Sequence, residues 1–266
     1  MVGEIINEST TWVDFKKWWV SKEDLGIIHH SNGSSAALYG SHPLISPAMN
    51  VGNCVIAVID IKSMQYIYTS PNYAEFTGWE EEDFKKGGVQ FAFSRLHPND
   101  QIGVTIFSEL INNFFKKLTD AEKGYCRSFW DFQIRNNKGE YVKVIQQDCA
   151  LKYNAEGLIE ELLVFVLKID NVTSTKNQHL RMTCGNKNLF YKFDHKLKTN
   201  TQLQLLSDRE MQIVKLIAKS KSLKQVAAEL NISFNTVKAH STKMMQKLQV
   251  NDALEMVNLL RVWGFI

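Results

Sequence analysis

The four cysteines of this 266-residue chain form no metal-binding pattern. Cys54, Cys126, Cys149 and Cys184 are widely separated, no CxxC pair occurs, and no cysteine stands at metal-ligand spacing from a histidine. We therefore expect no metal site. We also expect four reduced, mostly buried thiols, which is the usual state of cysteine in a cytoplasmic protein.

Long apolar segments are also missing. The longest apolar run, residues 162–167, is far too short to cross a bilayer. The first nine residues, MVGEIINES, lack the basic and apolar regions of a secretory signal. These absences lead us to expect a cytoplasmic protein that does not contact a membrane.

Nucleotide-binding patterns are absent as well. Neither a GxGxxG nor a Walker sequence occurs anywhere in the chain. A signalling kinase would need such a segment, together with a phospho-acceptor histidine on a paired helix. We therefore expect that the protein is not an enzyme.

Acidic residues are missing from one stretch that reads as a single helix, ISFNTVKAHSTKMMQKL, residues 232–248. The net charge of the whole chain is only +3, but residues 200–266 contain nine Lys or Arg and five Asp or Glu. The excess positive charge therefore lies in the last quarter of the chain, which indicates an anionic partner there.

Capping residues divide this last quarter into four helices. Ser207 and Ser222 each begin a capping box, Ser233 caps the acid-free helix, and Asp252 caps the fourth helix. Only about three residues, 231–233, separate the second helix from the third, a spacing typical of a helix-turn-helix.

The four helices resemble the LuxR-type DNA-binding domain. The matching pieces are LSDRE, VAAELNIS, NTVKAH, and KL followed by V, between residue 206 and about residue 266. The family usually has glycine where Ser220 stands, and often where Gln249 stands. The resemblance implies a third helix that enters the major groove of double-stranded DNA. It also implies a fourth helix that either makes a dimer contact or only completes the small core.

The acid-free helix has one apolar face around Val237 and an opposite face that is cationic, polar and formed by small side chains. A helix that lies in a major groove requires such a face, although a solvated lysine face would look the same. We expect base contacts from Lys238, Ala239 and Thr242. Asn235 lies on the same face and is also an expected contact. His240 lies at the edge of the buried face and is expected to pack or to bond phosphate. The expected phosphate contacts are Lys224, Gln225, Ser233, Thr236, Lys243 and Lys247.

Residues 51–172 show a different, mixed pattern. Two short β-branched runs precede several helices, and three further strand patterns follow at 127–136, 140–151 and 159–169. This order favours a five-stranded antiparallel sheet with helices on one face, an α+β architecture. The stretch resembles a PAS sensor domain in its segments YTSPNYAEFTGWEEEDFKKG, HPND and RNNKGEYVKV.

The resemblance implies a domain that holds haem, flavin or a small metabolite, or that only dimerises. No cysteine lies between residues 55 and 125 for a flavin adduct, and no histidine lies between 101 and 118 for a haem iron. We therefore predict no cofactor. Five aromatic residues could line a ligand pocket, and core packing explains them equally well: Tyr73, Phe76, Trp79, Phe91 and Phe93.

We accordingly divide the chain into four parts. Residues 1–50 comprise an amphipathic helix and a linker, 51–172 a PAS-like sensor, 173–203 a linker, and 204–266 a LuxR-type helix-turn-helix domain. This organisation predicts a homodimeric, sequence-specific transcription regulator that responds to a small molecule or a protein signal. The alternative is a PAS interaction module that does not bind DNA specifically.

Overall fold

A computed structural model of the chain describes residue 12 and residues 14–16, 54–169 and 177–266. Trp12 and residues 14–16 are helical, and the ring of Phe15 lies 5.0 Å from that of Phe93 between centroids. The rest of the amphipathic helix predicted near the N-terminus, and the linker after it, fall outside the described residues.

The described strands form one antiparallel sheet of eight strands in the order β2-β1-β5-β4-β3-β6-β7-β8. The strands are β1 (Cys54–Asp60), β2 (Gln65–Thr69), β3 (Arg127–Arg135), β4 (Tyr141–Tyr153), β5 (Ile159–Lys168), β6 (Gln178–Cys184), β7 (Lys187–Asp194) and β8 (Thr199–Gln202). The prediction of a mixed helix and sheet fold is confirmed, but the prediction of five strands is wrong. Residues 178–202, which we had interpreted as part of a linker, extend the sheet beyond β3.

The last of the three additional strands, β8, gives no strand signal in the sequence. The four residues of β8 are all exposed and polar, so they show no alternation of apolar and polar side chains. This strand is held by backbone pairing with β7, in which Tyr191 stands opposite Gln202 and Asp194 opposite Thr199. Backbone pairing of this kind leaves no pattern in the side chains, which is why the sequence did not reveal β8.

Four helices cover one face of the sheet. They are α1 (Tyr73–Thr77), α2 (Glu81–Ser94), α3 (Pro98–Phe115) and α4 (Asp120–Lys123). The longest, α3, buries Val104, Phe107, Ile111 and Phe115 at helical spacing. These side chains form one core with the sheet residues that point toward them, among which are Trp130 and Leu162.

The last four helices lie against the opposite face of the sheet. They are α5 (Asp208–Ala218), α6 (Leu223–Glu229), α7 (Phe234–Leu248) and α8 (Ala253–Val262). They have their own core, against which Phe129 and Ile145 of the sheet pack. Trp263, directly after α8, has its ring 5.4 Å from that of Phe190 on β7. Arg181 of β6 donates a hydrogen bond to the carbonyl oxygen of Trp263. Strands β6 and β7 therefore contact the end of the four-helix domain and help to hold it against the sheet.

Two of the cysteines form a disulfide, which corrects the prediction of four reduced thiols. Cys126 precedes β3, Cys184 ends β6, and their Cα atoms are 4.3 Å apart. The pairing of β3 with β6 brings the two residues together although 58 positions separate them in the sequence. Because β6 was not predicted as a strand, the pairing of these two cysteines could not be predicted. Cys54 and Cys149 are free thiols.

Candidate nucleic-acid interface

Side-chain caps fix the turn between α6 and α7. Ser222 and Gln225 form a capping box at the start of α6, in which the Ser222 amide donates to Gln225 Oε1 at 2.8 Å. At the start of α7, the Thr236 amide donates to Ser233 Oγ at 3.0 Å. Asn231, between the two helices, has a left-handed backbone with φ of +50°. The positions of the capping residues in the sequence predicted the two caps.

The two positions where the LuxR family favours glycine also have a left-handed backbone. Ser220 has φ of +62° and Gln249 has φ of +52°. A residue with a Cβ atom costs about 1–2 kcal/mol in this conformation. The backbone bond from Ser220 N to Ile217 O, at 2.8 Å, nevertheless closes the turn after α5. The two departures from the family pattern therefore add local strain and leave the arrangement of the helices intact.

Helix α7 divides into a buried face and an exposed face, as its sequence predicted. Val237, Ser241, Met244 and Leu248 are buried in the core of the four-helix domain. Most of the predicted DNA contacts are exposed, namely Lys224, Gln225, Ser233, Asn235, Thr236, Lys238, Ala239, Thr242 and Lys243. His240 is half-buried at the edge between the two faces. The exposed face presents cationic and neutral groups without a single carboxylate.

Lys247 is placed differently from the other predicted contacts. Its Nζ lies 2.5 Å from Glu210 Oε2, and 16% of its side chain is exposed, against 2% for Glu210. Burial is the largest influence on the pKa of Glu210 and raises it, but the bonds from Lys247 and Ser207 together outweigh burial, so the pKa is lowered. Lys247 therefore neutralises a buried carboxylate, and its placement does not fit the phosphate contact that we expected from the sequence.

Phe234 has an exposed ring and was not among the residues predicted from the sequence to contact DNA. It is the first residue of α7, and 43% of its surface is exposed. The sequence does contain a signal for this exposure, because Phe234 directly follows the capping residue Ser233. Side chains at a helix start point back beyond the first turn, where no helical residues cover them.

A small apolar cavity lies between the sheet and the helices that cover it. Its volume is about 90 Å³. Tyr73 and Phe93, two of the five predicted pocket residues, line it, together with Trp130 and Gln146. The other three predicted residues, Phe76, Trp79 and Phe91, are not among the lining residues. Trp79 and Phe91 instead pack against the guanidinium of Arg95, whose Cζ lies 4.8 Å and 4.7 Å from their ring centroids.

A buried carboxyl group lies next to this cavity. Asp148 of β4 is fully buried, and it accepts hydrogen bonds from Ser128 Oγ at 3.0 Å and from Gln146 Nε2 at 2.7 Å. Burial raises the pKa of Asp148 to about 7, although these two hydrogen bonds oppose the shift. Because Gln146 also lines the cavity, it connects the carboxyl group to the cavity wall. The sequence did not distinguish Asp148 from an exposed strand residue.

Within residues 12, 14–16, 54–169 and 177–266, no group of three or more His, Cys, Asp or Glu side chains could hold a metal ion. In the same ranges, no helix combines the length and the apolar character needed to cross a bilayer.

Comparison with protein families matches residues 204–260 to bacterial regulatory proteins of the luxR family. The chain is also similar to the oxygen regulatory protein NreC of Staphylococcus haemolyticus, with 32% identity over 113 residues, 40% of this chain and 52% of that protein. It is 30% identical over 99 residues to the response regulator protein VraR of Staphylococcus saprophyticus, which covers 35% of this chain and 47% of that protein. The chain thus spans about half the length of these relatives, all of which are regulatory proteins by description.

Two solved structures align with part of the chain. The Vibrio cholerae VqmA dimer, described as a LuxR-type receptor, aligns with 84% of this chain and 87% of its own, at 15% identity and a TM-score of 0.33. The N-terminal domain of a Marinobacter aquaeolei diguanylate cyclase with a PAS/PAC sensor aligns with 44% of this chain and 94% of its own, at 24% identity and a TM-score of 0.33. Both TM-scores are below 0.5, so the alignments indicate only a weak structural similarity.

Proposed function

We propose that this chain, whose residues 204–260 are a LuxR-type helix-turn-helix domain, is a sequence-specific DNA-binding transcription regulator controlled by its N-terminal sheet domain. The observation that carries the proposal is the exposed face of α7. This face is cationic, and it has no carboxylate that phosphate groups would repel. The caps at Ser222 and Ser233 hold the helix in place without using the side chains of Lys238 or Lys243.

The proposed contacts fall into two groups. Lys238, Ala239 and Thr242, near the start of α7, read base edges, with Asn235 beside them. Lysine can donate to guanine O6 and N7, and alanine can touch a thymine methyl group. The second group binds phosphate and so positions the helix without reading sequence. This group consists of Lys224, Gln225, Thr236, Lys243 and the backbone amides that follow Ser233. Lys247 is left out of it because it pairs with Glu210.

The sheet domain is the proposed sensor. Its cavity is bounded mainly by apolar side chains, with the amide of Gln146, the indole of Trp130 and the hydroxyl of Tyr73 belonging to its lining residues, so it suits a small, uncharged and largely apolar signal molecule. The contacts of Trp263 with β6 and β7 join the sensor to the DNA-binding helices. A ligand that shifts the sheet would therefore also shift α8, because these strands contact the residue that follows it.

We further propose that the regulator is a cytoplasmic homodimer that binds paired half-sites about one helical turn apart. Helix α8 was expected either to form the dimer contact or to complete the small core. Val257 and Leu260 are buried in the core of their own domain, whereas Leu254 is 70% exposed. Leu254 is thus the apolar residue of α8 that remains available to a second subunit.

Binding to selected DNA tests the proposal. Duplexes are selected from a random-sequence pool with the full chain, and affinity is then measured by fluorescence polarisation at several salt concentrations. If each subunit of a dimer neutralises two phosphates with Lys224 and Lys243, the slope of log K against log salt should be about −3 to −4. Equal affinity for selected and scrambled duplexes, or no binding at all, would support the alternative of an interaction module that does not bind DNA specifically.

A further inference from the structure

The phenyl ring of Phe234 is exposed without a partner in the described structure. The residue belongs to neither hydrophobic core and makes no ring contact there. Every residue of α6 and α7 is described, and within these two helices Phe234 alone is a large apolar residue with an exposed side chain. An isolated apolar residue does not form the contiguous patch that a protein partner usually requires. Its polar and cationic surroundings point instead to DNA, the ligand proposed for the rest of this surface.

The position of Phe234 places its ring at the end of α7 that enters the groove. Helical side chains point back toward the N-terminus, so the ring of a first residue projects beyond the helix start. In helix-turn-helix proteins, the N-terminal residues of the recognition helix contact the base edges. Lys238 lies four residues later and is therefore a neighbour of Phe234 on the helix surface.

The floor of the major groove contains one kind of apolar group that a phenyl ring can contact. Of the four bases, thymine alone presents a methyl group there, and phenylalanine is one of the side chains that contact it. We propose that Phe234 is a specificity-determining residue that packs against a thymine methyl group next to the base read by Lys238. This inference rests on the proposed function and adds to it a preference for thymine at one position of each half-site.

Replacing thymine by deoxyuridine removes the methyl group and keeps the pairing of the base. Each thymine of the selected half-site is replaced in turn, and the duplexes are titrated with the unchanged chain and with Phe234→Ala. At one position, deoxyuridine should weaken binding of the unchanged chain about fourfold, as expected for one lost methyl contact. Phe234→Ala should bind the thymine duplex more weakly by a similar factor, and it should not distinguish thymine from deoxyuridine at that position.

Leu197→Ala is the matched control, because it removes an apolar side chain that is 72% exposed and lies on the turn between β7 and β8. Its response to deoxyuridine should equal that of the unchanged chain. Phe234→Leu, which retains an apolar side chain, should keep part of the discrimination. The inference is overturned if Phe234→Ala responds to deoxyuridine as the unchanged chain does while specific binding persists. If the unchanged chain selects no duplex, the proposed function fails first and this inference fails with it.

Discussion

Lys247→Ala should lower the free energy of unfolding of the four-helix domain by about 2–4 kcal/mol, because it leaves the carboxylate of Glu210 buried without its cation. The carboxylate is 2% exposed and would keep only its hydrogen bonds from Ser207. Urea titration of the full chain, followed by hydrogen exchange in peptides from α5 and α7, measures the change where it occurs.

Lys243→Ala is the matched control for this change. It removes the same type of side chain from the same helix, and in the described structure Lys243 forms no ion pair. Its effect on stability should stay within about 0.5 kcal/mol. The double variant Glu210→Gln with Lys247→Met should recover part of the loss, because no buried charge is then unpaired. If Lys247→Ala proves as stable as Lys243→Ala, the ion pair does not support the domain, and Lys247 returns to the set of candidate phosphate contacts.

Asp148→Asn should change how the stability of the chain depends on pH. The folded pKa of Asp148 is about 7, above the usual value for aspartate, so the folded state favours the protonated form. The stability that this group contributes is complete below the unfolded pKa, and it is lost as pH rises through about 7. Between pH 5 and pH 8, the unchanged chain should therefore lose about 2–3 kcal/mol relative to Asp148→Asn. Urea unfolding at these two pH values measures the difference.

Asp208→Asn serves as the control for loss of a carboxylate, because Asp208 is exposed at the start of α5. It should keep the pH dependence of the unchanged chain. An equal pH dependence in Asp148→Asn and the unchanged chain would show that Asp148 is ionised in the folded protein at pH 5. The ligand cavity would then lie beside a charge, which would argue against an uncharged signal molecule.

Much of the candidate DNA interface could be predicted from the sequence, because the relevant interactions are local. The caps at Ser222 and Ser233 act over three residues, and helical periodicity separates Val237 from Lys238. The partner of Lys247 could not be predicted in this way. Glu210 lies 37 residues earlier and closes the capping box of α5 with Ser207, so its second role emerges only when α5 packs against α7.

The sheet domain shows the same division between local and distant interactions. Each of the first five strands has an apolar pattern of its own, and these five were predicted. The strand β8 has none, and the disulfide between Cys126 and Cys184 depends on strand pairing across 58 residues. The cavity was predicted only in part. Tyr73 and Phe93 line it, but the aromatic composition alone could not separate them from Trp79 and Phe91, which pack around Arg95.

The proposal that α7 reads bases is tested most directly by comparing Lys238→Ala with Lys243→Ala. Both variants are titrated on the selected duplex and on a scrambled duplex at several salt concentrations. Lys238→Ala should cost about 1–3 kcal/mol on the selected duplex and much less on the scrambled one, because it removes a base contact. Lys243→Ala should weaken both complexes about equally and reduce the salt slope by about one for each subunit bound. If Lys238→Ala weakens both complexes equally, or if neither variant changes affinity, α7 does not lie in the major groove as proposed.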